Sequence, residues 1–166
     1  DTRSKTSFDE IAKTGEYKRT ASKFRNWVSA DGSTEFKAEA GRYVLYISWA
    51  CPWASRCMAF RALKGLEDCI DFIAVEPKWG PLTATERSQS LKPKKETLSS
   101  GAINILFSEE NTHSWVFSTS VETATPGSMP DKYNHCKTLR QLYEKASPEY
   151  SGKYTVPVLF DLKTNQ

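Results

Sequence analysis

The sequence predicts an α/β fold. Three features carry that reading: a β-branched and aromatic run at Tyr43–Ile47, a helix-start signal at Cys51-Pro52, and a second apolar run at Ile70–Val75. The first run follows Gly41 and has the composition of a buried strand. Ser48-Trp49-Ala50 links it to Pro52. Proline suits the first position of a helix, because the N–H it lacks would have no intrahelical partner there. Ala54, Met58, Ala62 and Leu66 recur every four residues, and Gly65 is the expected stop. The second run completes a strand–helix–strand unit, which predicts a right-handed crossover and parallel strands.

Residues 1–40 are polar and broken up, so they read as an extended arm with Phe24, Trp27 and Phe36 as its anchors. The domain proper is expected over 41–166. Between Pro77 and His113 the chain turns to Ser, Thr, Lys and Pro, interrupted by one apolar run, Ile103–Phe107. Compact domains rarely need so long a loop, and a flexible insertion is expected at about 78–112. Order resumes at Trp115-Val116-Phe117, and Pro126–Pro130 is a loop. Tyr133, Cys136, Leu139, Leu142, Tyr143 and Ala146 lie three and four apart, which predicts a helix ending before Pro148. Ser151-Gly152 then turns the chain into Tyr154–Phe160, a strand that contains Pro157, and Asp161–Gln166 reads as a hairpin turn.

Composition narrows the function. The 166 residues are 39% hydrophobic and 26% charged, which excludes collagen, coiled coil and wholesale disorder. Lys and Arg number 23 against 20 Asp and Glu, and a net charge of +3 is too mild for a dedicated nucleic-acid binder. The Lys92–Lys95 patch therefore reads as a solvated loop. No stretch of about 18 apolar residues occurs, and the polar start at Asp1–Lys5 lacks a signal core. The four cysteines, Cys51, Cys57, Cys69 and Cys136, are too sparse for a disulfide scaffold and lack zinc-site spacing. A reducing compartment is expected, the cytoplasm or a plastid. His113 and His135 have no motif that pairs them with Cys51 as a hydrolase, and His135-Cys136 has no companion pair for a metal.

The chemistry concentrates in Trp49-Ala50-Cys51-Pro52-Trp53-Ala54. A cysteine between a strand and a helix sits at the positive end of the helix dipole, here the helix N-terminus at Pro52-Trp53, beside backbone N–H groups that no helical carbonyl reaches. Such a site favours thiolate over thiol, with pKa values of roughly 3.5–7.5, and thiolate is the nucleophile of disulfide exchange. The alternative is a cysteine that merely packs. A thioredoxin-type dithiol would need Cys at position 54, which is alanine. Cys57 is six residues along the helix, a rise of about 9 Å, whereas a disulfide needs Cα atoms within about 7 Å. A small external thiol, glutathione above all, is the remaining partner for Cys51. Val156-Pro157 is the second site. A proline inside an apolar run removes a ladder hydrogen bond. Either a cis bond turns the Val156 backbone outward toward a peptide-like ligand, or an edge strand holds a trans proline.

These residues carry a family resemblance. Tyr46–Arg56, Leu63–Glu67 and Tyr150–Leu159 resemble the glutathionyl-hydroquinone reductases, the Xi-class, omega-like glutathione transferases, especially plant members. The likeness covers about 5–80 and 113–166. It implies a thioredoxin-like glutathione-binding domain over 41–166, incomplete before its last strand and helix. It also implies that Cys51 takes glutathione from a glutathionyl-hydroquinone as a mixed disulfide, which a second glutathione then releases. Trp115 would cover glutathione, Val156 would pair with its cysteinyl backbone, and Pro157 would be cis. Glutathione is then the co-substrate, a quinone-derived conjugate the other partner, no metal is needed, and a full-length form would be a homodimer. Two family features have no counterpart in the chain: the Glu-Ser pair after the Val-Pro strand and the helical C-terminal domain. A catalytically weak domain that binds glutathione or a protein without turnover is the alternative.

Overall fold

A computed structural model describes residues 10–81, 83 and 113–166. The elements are β1 (Tyr43–Ile47), α1 (Pro52–Leu63), β2 (Ile70–Ala74), β3 (Trp79–Pro81), β4 (His113–Trp115), α2 (Leu139–Ala146) and β5 (Val158–Asp161). One sheet has the order β2-β1-β5, and β3 pairs with β4 in a second. β1 and β2 are parallel, from Tyr43 opposite Ile70 to Ile47 opposite Ala74. The strand–helix–strand unit thus stands where the sequence places it, with Pro52 opening α1 and Gly65, at φ 61°, turning the chain after it.

All five residues of β1 are buried. A central strand covered on both faces needs this unbroken apolar run, and its alternate residues feed two cores. Val44 and Tyr46 join Ile73, Val75, Phe117, Leu139, Leu142, Tyr143, Val156 and Phe160. Leu45 and Ile47 join Ala54 and Ala74, with Cys57, Met58, Ile70 and Phe72 half-buried against them. The second core is thin. Of α1 only Ala54 is fully buried, and Ala62, expected on the packed face, is exposed. Arg61 occupies the corresponding place instead, its guanidinium donating to the carbonyls of Ile70 and Glu67 and so tying the end of α1 to β2.

Several expectations need correction. α2 does not begin near Tyr133. Asp131, buried, accepts from the amides of Tyr133, Asn134 and Cys136 and from the Tyr46 hydroxyl at 2.8 Å. A carboxylate that gathers backbone amides competes with the helical ladder, and His135 takes a left-handed turn at φ 55°. The helix starts only after Thr138, whose hydroxyl caps it by accepting from the Gln141 amide at 3.2 Å. β5 is also shorter than the predicted strand. Pro157 precedes it, and the Thr155 carbonyl accepts from the Tyr143 hydroxyl at 2.8 Å, a side-chain partner in place of a ladder bond. Within the segment expected as an insertion, Trp79–Pro81 form β3; residues 82 and 84–112, including Ile103–Phe107 and Lys92–Lys95, lie outside the described residues.

The arm is anchored by two of the three aromatics expected to do so. Phe36 is buried, and Phe24 stacks on Tyr150 at 5.6 Å and meets Tyr143 edge-on at 5.7 Å. Trp27 is 80% exposed and anchors nothing. Its neighbourhood is held by the backbone instead, through a bridge between Ser29 and Lys37. At the base of the sheet, Arg42, just before β1, donates from Nε to both carboxylate oxygens of Asp161, the last residue of β5, at 2.9 and 3.0 Å. Both side chains are buried.

Candidate functional site

Cys51 is the N-cap residue of α1, with extended backbone (φ −102°, ψ 116°) and no capping hydrogen bond from its side chain. Its thiol is therefore not spent on the helix. The amide donates to the Ser48 carbonyl at 3.0 Å, and the Cys51 carbonyl accepts the first helical bond, from Ser55, at 3.1 Å. Pro52 supplies no N–H, so the amides of Trp53 and Ala54 are the donors left without a helical acceptor at this end. The half-buried Sγ lies 3.6 Å from the Val156 carbonyl oxygen. The next peptide bond, Val156-Pro157, is cis, which decides between the two conformations the sequence left open. Residues 105 positions apart thus meet: a sulfur at a helix start and a proline-turned backbone.

The remaining site residues occupy the same end of the molecule. Val75 donates to the Ile47 carbonyl, Glu76 to the Val116 carbonyl and Met129 to the Ala74 carbonyl, at 2.9, 2.9 and 3.0 Å. The carboxyl ends of β1 and β2 therefore collect the 48–51 turn, the end of β4 and the 125–129 loop. Ligands of open α/β sheets bind beyond such ends. Trp115 is half-buried and packs, like Cys51, against the core that contains Val156. Its cross-strand partner is Trp79, with ring centroids 6.0 Å apart at 71°. Trp53 projects outward under the Arg56 guanidinium, 4.3 Å from its ring centroid, so its contribution near the sulfur is its amide, not its indole.

Burial pushes the Cys57 thiol up, and the neighbouring Cys51 adds to the effect. None of the four cysteines is in a disulfide, and α1 runs unbroken through Cys57. Among the described residues no group of three or more His, Cys, Asp or Glu is placed to hold a metal, and no helix is long and apolar enough to cross a membrane. His113 lies in β4 and His135 in the turn before α2, not on a helix.

Sequence reasoning missed the residues that brace this end. The Glu76 carboxylate accepts from the Ser118 hydroxyl and from the Thr125 amide. Burial pushes its pKa up, but these donors outweigh it and leave the group below the ordinary value. The Trp49 indole donates to the Gly127 carbonyl at 2.8 Å and meets Phe72 edge-on. Pro126–Pro130 was legible as a loop, but nothing local announces its partner. Gly127 has φ 88°, and an added Cβ would lie 3.0 Å from the Trp49 Nε1. Gly127→Ala is expected to cost about 1–2 kcal/mol in urea unfolding, since a non-glycine residue is strained in that conformation even before the contact with Trp49 is counted.

A mixed sheet with one parallel strand–helix–strand unit, a cysteine opening the helix and a cis proline facing it together define a thioredoxin-like α/β domain. The pattern described as "Glutathione S-transferase, N-terminal domain" matches residues 50–165. The chain belongs to that family. It is 36% identical over 166 residues to the glutathionyl-hydroquinone reductase YqjG of Escherichia coli, covering 96% of this chain and 40% of that protein. To the glutathione S-transferase omega-like 2 of Schizosaccharomyces pombe it is 33% identical, covering 95% and 38%. Among solved structures, the Xi glutathione S-transferase of Phanerochaete chrysosporium superposes with a TM-score of 0.67 at 34% identity, covering 93% of this chain and 38% of that one. The glutathione-bound YqjG structure gives 0.59 at 38% identity, covering 86% and 37%. The chain thus spans about two fifths of the length of these relatives.

Proposed function

We propose that the chain is the glutathione-binding part of a glutathione-dependent thiol transferase that removes glutathione from glutathionyl-hydroquinones. One observation carries the reading: the Cys51 sulfur, unengaged in capping, stands 3.6 Å from the backbone of Val156 next to a cis proline. Relatives named as glutathionyl-hydroquinone reductases, and one solved with glutathione bound, support it. Cys51 acts as nucleophile, Pro52 and Trp53 present the helix end, Val156 pairs with the cysteinyl backbone of glutathione, and Trp115 covers the tripeptide.

The chemistry balances in two steps. The Cys51 thiolate attacks the glutathione sulfur of the conjugate. A sulfur–sulfur bond forms, the carbon–sulfur bond breaks, and its electron pair stays with the ring, which takes up a proton and leaves as hydroquinone. A second glutathione, as thiolate, then attacks the mixed disulfide, giving oxidised glutathione and restoring Cys51. The ring gains two electrons and two glutathione molecules lose them. With no second cysteine in reach of Cys51 along α1, the external thiol is required. Such a cycle belongs in a reducing compartment.

The test is hydroquinone release from a glutathionyl conjugate in the presence of glutathione, followed beside intact mass after exposure to oxidised glutathione. Release together with a single adduct at Cys51 is the expected result. An adduct without release favours the domain that binds glutathione without turnover, and the absence of both overturns the proposal.

A further inference from the structure

The Glu10–Phe24 part of the polar arm is fastened largely to one short stretch of the domain, and that stretch leads into the candidate site. Glu10, 7% exposed, accepts from the Lys153 ammonium at 2.5 Å, from the Tyr17 hydroxyl at 2.7 Å and from the Thr20 amide at 2.8 Å. Thirteen residues on, the Lys23 ammonium donates to the Ser151 hydroxyl at 3.1 Å and lies 5.5 Å from the Tyr150 ring centroid, while Phe24 stacks on that ring. Four different kinds of contact thus converge on 150–153. From there the chain is held continuously: the Tyr150 hydroxyl donates to the Lys153 carbonyl at 2.8 Å, Tyr154 packs against Tyr143, and the Thr155 carbonyl accepts from Tyr143. The next residue is Val156, whose carbonyl faces Cys51.

We infer that the arm is a strap and Glu10 a positioning residue: through Lys153 it holds the 150–156 segment in place and so fixes the Val156 backbone opposite the Cys51 sulfur. The chemistry of the contact suits this task. A buried carboxylate with three donors is well satisfied, and removing one partner leaves the other charge short of a counterpart. The Lys153 hydrogen bond brings the Glu10 pKa to about 2, so the pair is intact at neutral pH. Tyr17 and Thr20 lie on the arm itself, whereas Lys153 lies on the segment; of the three contacts Glu10 makes, the ion pair is the one that joins the two.

That Val156 receives glutathione rests on the reading above, so the experiment has two readouts. Glu10→Gln, Lys153→Met, the double variant and Lys153→Arg are made in the full chain. Hydrogen exchange is measured over 150–160, and so is the rate at which oxidised glutathione modifies Cys51. In that reaction the thiolate attacks one sulfur of the disulfide and glutathione thiolate leaves. In both single variants, exchange over 150–160 is expected to rise and adduct formation to slow by about fivefold. The double variant should be no worse than either single, because both remove one interaction, and Lys153→Arg should retain most of the wild-type values. Faster exchange with an unchanged adduct rate supports the strap and overturns the assignment of glutathione to Val156. Unchanged exchange in both single variants overturns the strap, whatever the adduct rate. So does a double variant whose effects simply add.

Discussion

Cys51→Ser is expected to abolish adduct formation with oxidised glutathione and to lower hydroquinone release by at least about a thousandfold, the scale of losing a nucleophile. Serine keeps the shape of the N-cap and caps helices well, so the loss should come without unfolding. The partner experiment is Cys57→Ala. Cys57 is half-buried on the packed face of α1, and burial raises its pKa, which leaves little thiolate at neutral pH. It should therefore keep both activities within about threefold. Intact-mass analysis of the two variants separates the sulfurs. If Cys51→Ser still gains one glutathione, or if Cys57→Ala does not, the nucleophile has been misassigned.

The largest expected effect on stability is at the other end of the sheet. Asp161→Asn leaves the buried Arg42 guanidinium with only the half-exposed Glu39 carboxylate, 3.9 Å away, as a charge partner among the described residues, and breaking a buried pair from one side costs about 3–5 kcal/mol. Natural domains have only about 5–15 kcal/mol in all, so the denaturant midpoint should fall steeply. Replacing both residues by apolar ones, Arg42→Met with Asp161→Leu, should recover much of the loss. The pH dependence has a definite sign. Burial pushes the Asp161 carboxyl up, but hydrogen bonds from Arg42, from the Lys163 amide and from Thr164 outweigh it, and the folded value lies below the ordinary one. Its contribution is therefore complete above about pH 4 and is lost as the pH falls through the folded value. The wild type should lose stability on acidification more steeply than Asp161→Asn. Equal acid slopes would mean that Asp161 is no more ionised in the folded chain than in the unfolded one.

What could be read from the sequence is what neighbours in the chain decide. Tyr43–Ile47, Pro52, Gly65 and Ile70–Ala74 announce strand, helix start, helix stop and strand through local composition alone, and the structure has them at those places. Cys51 and Pro157 were legible as candidates because each breaks a local pattern. The misplaced features depend on distant partners. The apolar spacing from Tyr133 onward is helical, yet Asp131 takes the amides of that first turn while also receiving Tyr46 from β1. Trp79 reads as loop because its strand partner, Trp115, is on the far side of a long polar stretch. Phe24 and Trp27 look alike in sequence, and Tyr143 and Tyr150, more than a hundred residues away, distinguish the packed one from the exposed one.

Arg42 and Asp161 close the sheet where β1 begins and β5 ends, whereas the Cys51 sulfur, the proposed nucleophile, follows the opposite tip of β1. The chain therefore keeps endurance and reactivity at separate poles, joined by five residues of rigid strand. On the proposed function, loops at the sulfur's pole should accept redesign for a different thiol conjugate with little toll on folding, and the ionic rivet below should be open to reinforcement without retuning the chemistry above it.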